Sequence, residues 1–231
     1  MTYLPVGIIK RTDWYVWHSM NDISNNEVYW WRPLDDTEPD TRGKILFAAY
    51  KEIHCHGFQA ASLSNILAHT GVTKGALYYH FPNKLELGYA VVDEVIAHRI
   101  DLSFIQPLQD FDNPIDGFIK LIQSEGNLFS MTDIELGCPL TNLAQEMAPI
   151  DEAFRIRLAR IYQKWHQSIT DLMIEAKTSG HIIDQVDPEA LAIMIVATME
   201  GSIVAAKVSQ DLNKLYLCGC GLVQHLQLIR K

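Results

Sequence analysis

Residues Ser62 to Phe81 read SLSNILAHTGVTKGALYYHF, and this stretch limits the fold more than any other. A cap-type serine, Ser62, opens a short helical pattern with Leu63, Ile66 and Leu67 on one side. Gly71 turns the chain, and a second short helix opens at Thr73. Two short helices joined by a short turn containing glycine form a helix-turn-helix, whose second helix enters the DNA major groove. The second helix suits that task. Thr73 can cap it and touch phosphate, Lys74 brings charge, Gly75 permits close backbone approach, and Tyr78, Tyr79 and His80 add hydrogen-bonding tips. The same pattern also suits an ordinary helical hairpin with packed tyrosines and a solvated lysine.

The flanks bear on that choice. Before the stretch stands TRGKILFAAYKEIHCHGFQAA (Thr41 to Ala61), and after it PNKLELGYAVVDEV (Pro82 to Val95). With the first helix ending in Gly57-Phe58, the Leu-x-x-Ile of the second, GVTKGALYYHF, and Asn83-Lys84 opening the fourth, residues 39–99 resemble the amino-terminal domain of the TetR family of transcriptional regulators. The resemblance implies an all-α fold. A three-helix DNA-binding domain (residues 39–99, motif 62–81) would precede a helical ligand-binding and dimerisation domain (102–231). It places Arg42, Ser62, Thr73, Lys74, Gly75, Ala76, Tyr78, Tyr79, His80 and Lys84 on DNA. Thr73, Tyr79, His80 and Lys84 would hold phosphates, while Lys74, Gly75, Ala76 and Tyr78 would lie nearer base edges. Leu77 and Phe81 are expected in the core.

Charge fits a local footprint on DNA. The chain carries −9, yet Thr41 to Ala90 holds five basic residues and two acidic ones, so this module is +3 and the remainder −12. Four cysteines in 231 residues make no disulfide framework, which points to a reducing cytoplasm. The apolar run Ala190 to Met199 is shorter than the roughly 20 residues a bilayer span needs, so no membrane partner is expected. Residues 1–38 hold Trp14, Trp17, Trp30 and Trp31 and end in an acidic run. Two readings stand for them: a packing extension, or a start assigned too far upstream.

Beyond the fourth helix, which continues past Val95 toward Phe104, the sequence predicts five more. They run from Pro114 to about Phe129, from Cys138 to Met147, from Asp151 to about Ser179, from Pro188 to about Val208, and from Asp211 to about Arg230. GCPLTNLAQEM resembles a stretch in the ligand-binding domains of some TetR-family members. An effector pocket is expected among the fourth helix and the first three of these. Its candidate lining is Phe104, Phe118, Ile122, Phe129, Cys138, Asn142, Gln145, Glu146, Trp165 and Met199. Asn142 and Glu146 would be its orienting polar groups, with Glu200 as another. Cys138, at a helix amino terminus, is a candidate thiol sensor, because that position lowers a thiol pKa. The last two helices are expected to form a homodimer surface.

No cofactor and no metal site are expected: His54-Cys55-His56 and Cys218-x-Cys220 lack ligand spacing. No GxSxG, HExxH, P-loop or GxGxxG pattern marks an enzyme. The resulting expectation is a cytoplasmic, homodimeric repressor released from a palindromic operator by a small, largely apolar effector. The alternatives are a small-molecule-binding or thiol-sensing helical protein with a secondary DNA module, and a partner-regulated adaptor docking through its aromatic amino-terminal segment.

Overall fold

The computed structural model describes residues 39–125 and 131–231. The expectations for residues 1–38 and for Phe129 lie outside these. Among the described residues the regular elements are helices, with one isolated bridge between Ile182 and Arg230. Helix α1 (Thr41–His56), α2 (Leu63–Ala68) and α3 (Lys74–His80) are followed by α4, a continuous helix over residues 84–105. Then come α5 (Pro114–Glu125), α6 (Met131–Leu136), α7 (Pro139–Met147), α8 (Glu152–Thr178), α9 (Pro188–Ser209) and α10 (Leu212–Ile229).

Local chemistry fixes most of the boundaries. Asp40 accepts from Gly43 N at 2.7 Å to open α1, and Gly57, at φ +79°, closes it. Thr73 Oγ1 accepts from Ala76 N at 3.2 Å, Asn83 Oδ1 from Glu86 N at 2.9 Å, and Asp151 Oδ1 from Phe154 N at 2.8 Å. Asp187 and Asp211 do the same for α9 and α10. Ser62 departs from expectation. It sits in cap geometry, but its hydroxyl pairs with Ser64 Oγ at 3.1 Å instead of a helix N–H. Its own N–H donates to the buried Glu52 carboxylate, which also accepts from Asn65 Nδ2.

Two features had no clear sequence signal. The short α6 was not predicted. Helix α4 widens into π turns at Val91–Ile96 and Asp101–Ile105, with the α-helical turn Ala97–Ile100 between them.

Helices α1, α2 and α3 pack together and onto α4, which carries their core into the body against α8. One apolar cluster runs without a break from Ile45, Ile66 and Leu77 through Val91 and Val95 to Trp165, Ile195 and Leu226. Phe58 and Phe154 meet edge-to-face at 4.7 Å over Gly88, where a Cβ would lie 2.4 Å from the Phe58 ring. Only glycine permits that approach of α4. Helices α9 and α10 pack along each other, with α9 also against α8 and α10 against α5. By length and composition α9 could cross a membrane, contrary to the reading of its shorter charge-free run. Here one side of it packs into the body, burying Leu191, Ile195, Val196 and the carboxylate of Glu200, while Ile193, Val204 and Val208 stay exposed.

Candidate functional site

Helix α3 presents a polar face with Leu77 and Phe81 held beneath it, 0% and 3% exposed. Thr73, Lys74 and Gly75 are exposed, Tyr79 is 85% exposed and Tyr78 is 42% exposed. Ala76 and His80 are half-buried beside them. Lys74 Nζ lies 5.8 Å from the Tyr78 ring centre, and Tyr79 packs edge-on to His80. The outer candidates are already engaged. Arg42 makes a two-pronged ion pair with Glu94 at 2.5 and 2.6 Å and lies over the Phe81 ring. Lys84 donates to Gln59 O at 3.0 Å above Phe58, and burial lowers its pKa. Both cations therefore brace the three-helix unit against α4.

A cavity of about 450 Å³ lies in the body. Phe104 of α4, Ile122 and Gln123 of α5, Cys138, and Trp165 of α8 form one side. The other side belongs to α9 and α10, through Thr198, Met199, Glu200, Ser202 and Ile203, then Leu215, Tyr216, Gly219, Cys220 and Leu222. Phe104 stacks on Trp165 with centroids 5.0 Å apart. Glu200 is the charged side chain in this wall and is 9% exposed. It accepts from Cys138 Sγ at 3.3 Å and from the Thr141 hydroxyl. With that proton given to Glu200, the Tyr162 hydroxyl is the donor in its 3.1 Å contact with Thr141. Burial raises the Glu200 pKa, partly offset by these two donors.

Helix α7 joins the cavity to the three-helix unit. At its start stand Cys138 and Thr141, bonded to Glu200. In its last turn Glu146 accepts from both Phe58 N and Gln59 N at 2.8 Å, gripping the turn after α1. Beside it His54 Nε2 donates to Gly137 O at 2.8 Å, so its Nδ1 accepts from the Tyr50 hydroxyl at 3.2 Å. Tyr50 in turn accepts from Arg99 Nη1 at 2.8 Å. Burial drives the His54 pKa down to about 4, with Arg99 and Lys207 adding to the effect.

Two family models match the chain: one for bacterial regulatory proteins of the tetR family over residues 45–91, and one for the tetracyclin repressor-like C-terminal domain over 119–217. An uncharacterized HTH-type transcriptional regulator of Lactococcus lactis is 30% identical over 76% of this chain and 88% of its own length. The HTH-type transcriptional repressor DhaR of a Mycobacterium species is 24% identical over 69% of this chain and 78% of its own. The crystal structure of a TetR transcriptional regulator from Chloroflexus aurantiacus superimposes with a TM-score of 0.72 at 26% identity, covering 82% of this chain and 96% of that one.

The chain belongs to the TetR family. TetR-family proteins are transcription regulators, not enzymes, and they bind operator DNA as homodimers and respond to small-molecule effectors.

Within this TetR fold, the expected pocket positions separate into two groups. Phe104, Ile122, Cys138, Trp165 and Met199 meet around the cavity, but Phe118, Asn142, Gln145 and Glu146 do not. Phe118 is core, 1% exposed; Gln145 is exposed; Asn142 Nδ2 donates to Leu136 O. The polar pair on α7 thus faces the three-helix unit and a cleft of about 200 Å³ lined by Tyr50, His54 and Gly57. The cavity lies largely against α9 and α10, not among α5, α7 and α8 alone. Cys138 stands at a helix start as expected, but burial and the Glu200 carboxylate push its thiol up to about 12, the reverse of activation. The all-round apolar pattern of α9 was the available signal, since it demanded burial on more than one side. Among the described residues no group of three or more His, Cys, Asp or Glu is placed to hold a metal.

Proposed function

We propose that the protein is a repressor that two copies seat on a palindromic operator and that a small, largely apolar effector releases. The observation that carries this reading is α7. One helix of nine residues is bonded at its start to the carboxylate in the cavity wall and at its end to the backbone of the turn that positions α2 and α3. A ligand pressing on Glu200, Cys138 or Phe104 would displace α7 or α4, and both elements lead to the DNA-facing unit. The effect on DNA equals the ligand's differential affinity for the two arrangements.

Lys74, Gly75, Ala76 and Tyr78 would approach base edges, with Thr73, Tyr79, His80 and Lys84 on phosphates, Ser62 near the backbone and Arg42 at the rim. The repressor named among the relatives supports the sign of the output. The dimer surface lies on α9 and α10. A thiol sensor at Cys138 finds no support, because the thiol is buried and protonated.

The test is fluorescence anisotropy with duplexes from the intergenic DNA beside the protein's own coding sequence, run as a salt series against scrambled duplexes. Preferential, salt-sensitive binding in whole-dimer steps is expected, with Lys74→Ala relaxing the preference. Equal affinity for scrambled DNA at every salt concentration and for every intergenic duplex tried would reject the reading.

A further inference from the structure

The polar groups around Glu200 in the cavity are biased in one direction. Glu200 is buried in an apolar wall with no Lys or Arg beside it in the lining. Thr198 Oγ1 donates its proton to Met194 O at 2.8 Å, and Ser202 Oγ donates to Met199 O at 2.6 Å. Both hydroxyls have therefore spent their donors on their own helix and offer only lone pairs. Cys138 has spent its S–H on Glu200 in the same way. Around Glu200 the cavity presents acceptors and a negative group, beside the stacked Phe104 and Trp165; Gln123, Tyr216 and Gln224 bring neutral amide and hydroxyl groups to the rest of the lining, and no cation. The Trp165 indole N–H is buried without an acceptor, but a neutral N–H does not offset a carboxylate.

We infer that the effector is an apolar, aromatic-sized molecule that is neutral or cationic and carries a hydrogen-bond donor, an ammonium or a hydroxyl, which it places on Glu200; carboxylates and phosphates are outside the class. This rests on reading the cavity as the effector site. An anion entering it would lose its hydration and meet a like charge with no cation to receive it, whereas an ammonium would exchange water for a charge-assisted bond. A volume of about 450 Å³ suits a body of two fused rings with a short polar arm.

Four probes sharing one body separate the possibilities by calorimetric titration of the full chain: naphthylmethylamine, naphthylmethanol, methylnaphthalene and naphthoic acid. The amine and the alcohol should bind at least about tenfold more tightly than the acid, and the amine more tightly than the hydrocarbon. Glu200→Gln keeps the side chain's shape and should shrink the amine-to-acid ratio to about threefold or less. Acid binding as tight as amine binding in the unaltered protein overturns the inference without any variant; so does a ratio that survives Glu200→Gln, or no binding by any of the four. Operator anisotropy with the same probes is read separately. Donor-selective binding that leaves DNA bound keeps the cavity's ligand chemistry and removes the effector reading, while DNA release by the acid as readily as by the amine removes the chemistry and keeps the reading.

Discussion

At the residue scale, His54 shows how the fold turns an ordinary side chain into a contact that depends on protonation. Its two ring nitrogens do different work, Nε2–H donating to Gly137 O and Nδ1 accepting from Tyr50, so a second proton has no place. The charged groups around it are Arg99 and Lys207, which oppose protonation, and Asp133, which favours it. The folded-state pKa of about 4 lies below the ordinary 6.5. The stability it contributes is therefore complete above pH 6.5 and is lost as the pH falls toward 4. Between about pH 7 and about pH 5 the protein should lose about 2 kcal/mol on this account. Urea unfolding at the two pH values measures it, with His54→Gln, which cannot titrate, as the comparison. Equal losses in both proteins would assign the acid sensitivity to other groups.

At the element scale, α7 is the short helix that touches both functional regions. Its Glu146 carboxylate accepts two backbone N–H bonds, each of a kind that contributes about 1.5–3 kcal/mol when the acceptor is charged. Those N–H groups belong to Phe58 and Gln59, immediately after Gly57 turns out of α1 at φ +79°. Glu146→Gln keeps the shape and removes the charge. It should speed hydrogen exchange at the Phe58 and Gln59 amides by about tenfold, while exchange in α9 stays as it was. Unchanged exchange at those two amides would mean that the carboxylate does not hold the turn. Helix α4 makes the second connection. Its π turn at Asp101–Ile105 contains Phe104, which meets Trp165 in the cavity wall, and its first turns carry Gly88 under Phe58 and Phe154.

At the scale of the whole molecule, α9 and α10 both leave apolar side chains uncovered. On α9, Ile193, Val204 and Val208 are 47%, 42% and 81% exposed and fall on one stripe. On α10, Leu217 and Leu228 are 54% and 79% exposed. A homodimer of the TetR family needs such a face, and a repeat of two half-sites requires the two α3 helices to sit roughly 34–36 Å apart or at a multiple of that. Val204→Glu with Leu217→Glu should convert the protein to a monomer by light scattering and lower operator affinity by about a hundredfold or more. The monomer should keep its helical circular-dichroism signal, because both positions are exposed in the single chain, while its unfolding midpoint falls by the dimer's contribution. A variant that stays dimeric would place the interface elsewhere.

The amino-acid sequence alone was sufficient for most helix starts, though not for Ser62, the short α6 or the π turns of α4. Asp40, Thr73, Asn83, Asp151, Asp187 and Asp211 start helices because a side-chain oxygen reaches a backbone N–H two or three residues on, a bond that needs no distant partner. The burial of Leu77 and Phe81 under the polar face of α3 follows from helical spacing in the same way. What a residue four along a helix faces is not a local property. Asn142 and Glu146 share a face as expected, but which neighbour that face meets was decided by how α7 lies between α1 and α9. The same holds for Cys138. Its helix-start position argued for a lowered pKa, and only packing brought the Glu200 carboxylate to 3.3 Å from its sulfur and took away the solvent. Spacing along the chain fixes direction relative to a helix axis, whereas dielectric and charge at a point are set by segments sixty or so residues away, and those are placed only when the tertiary structure forms.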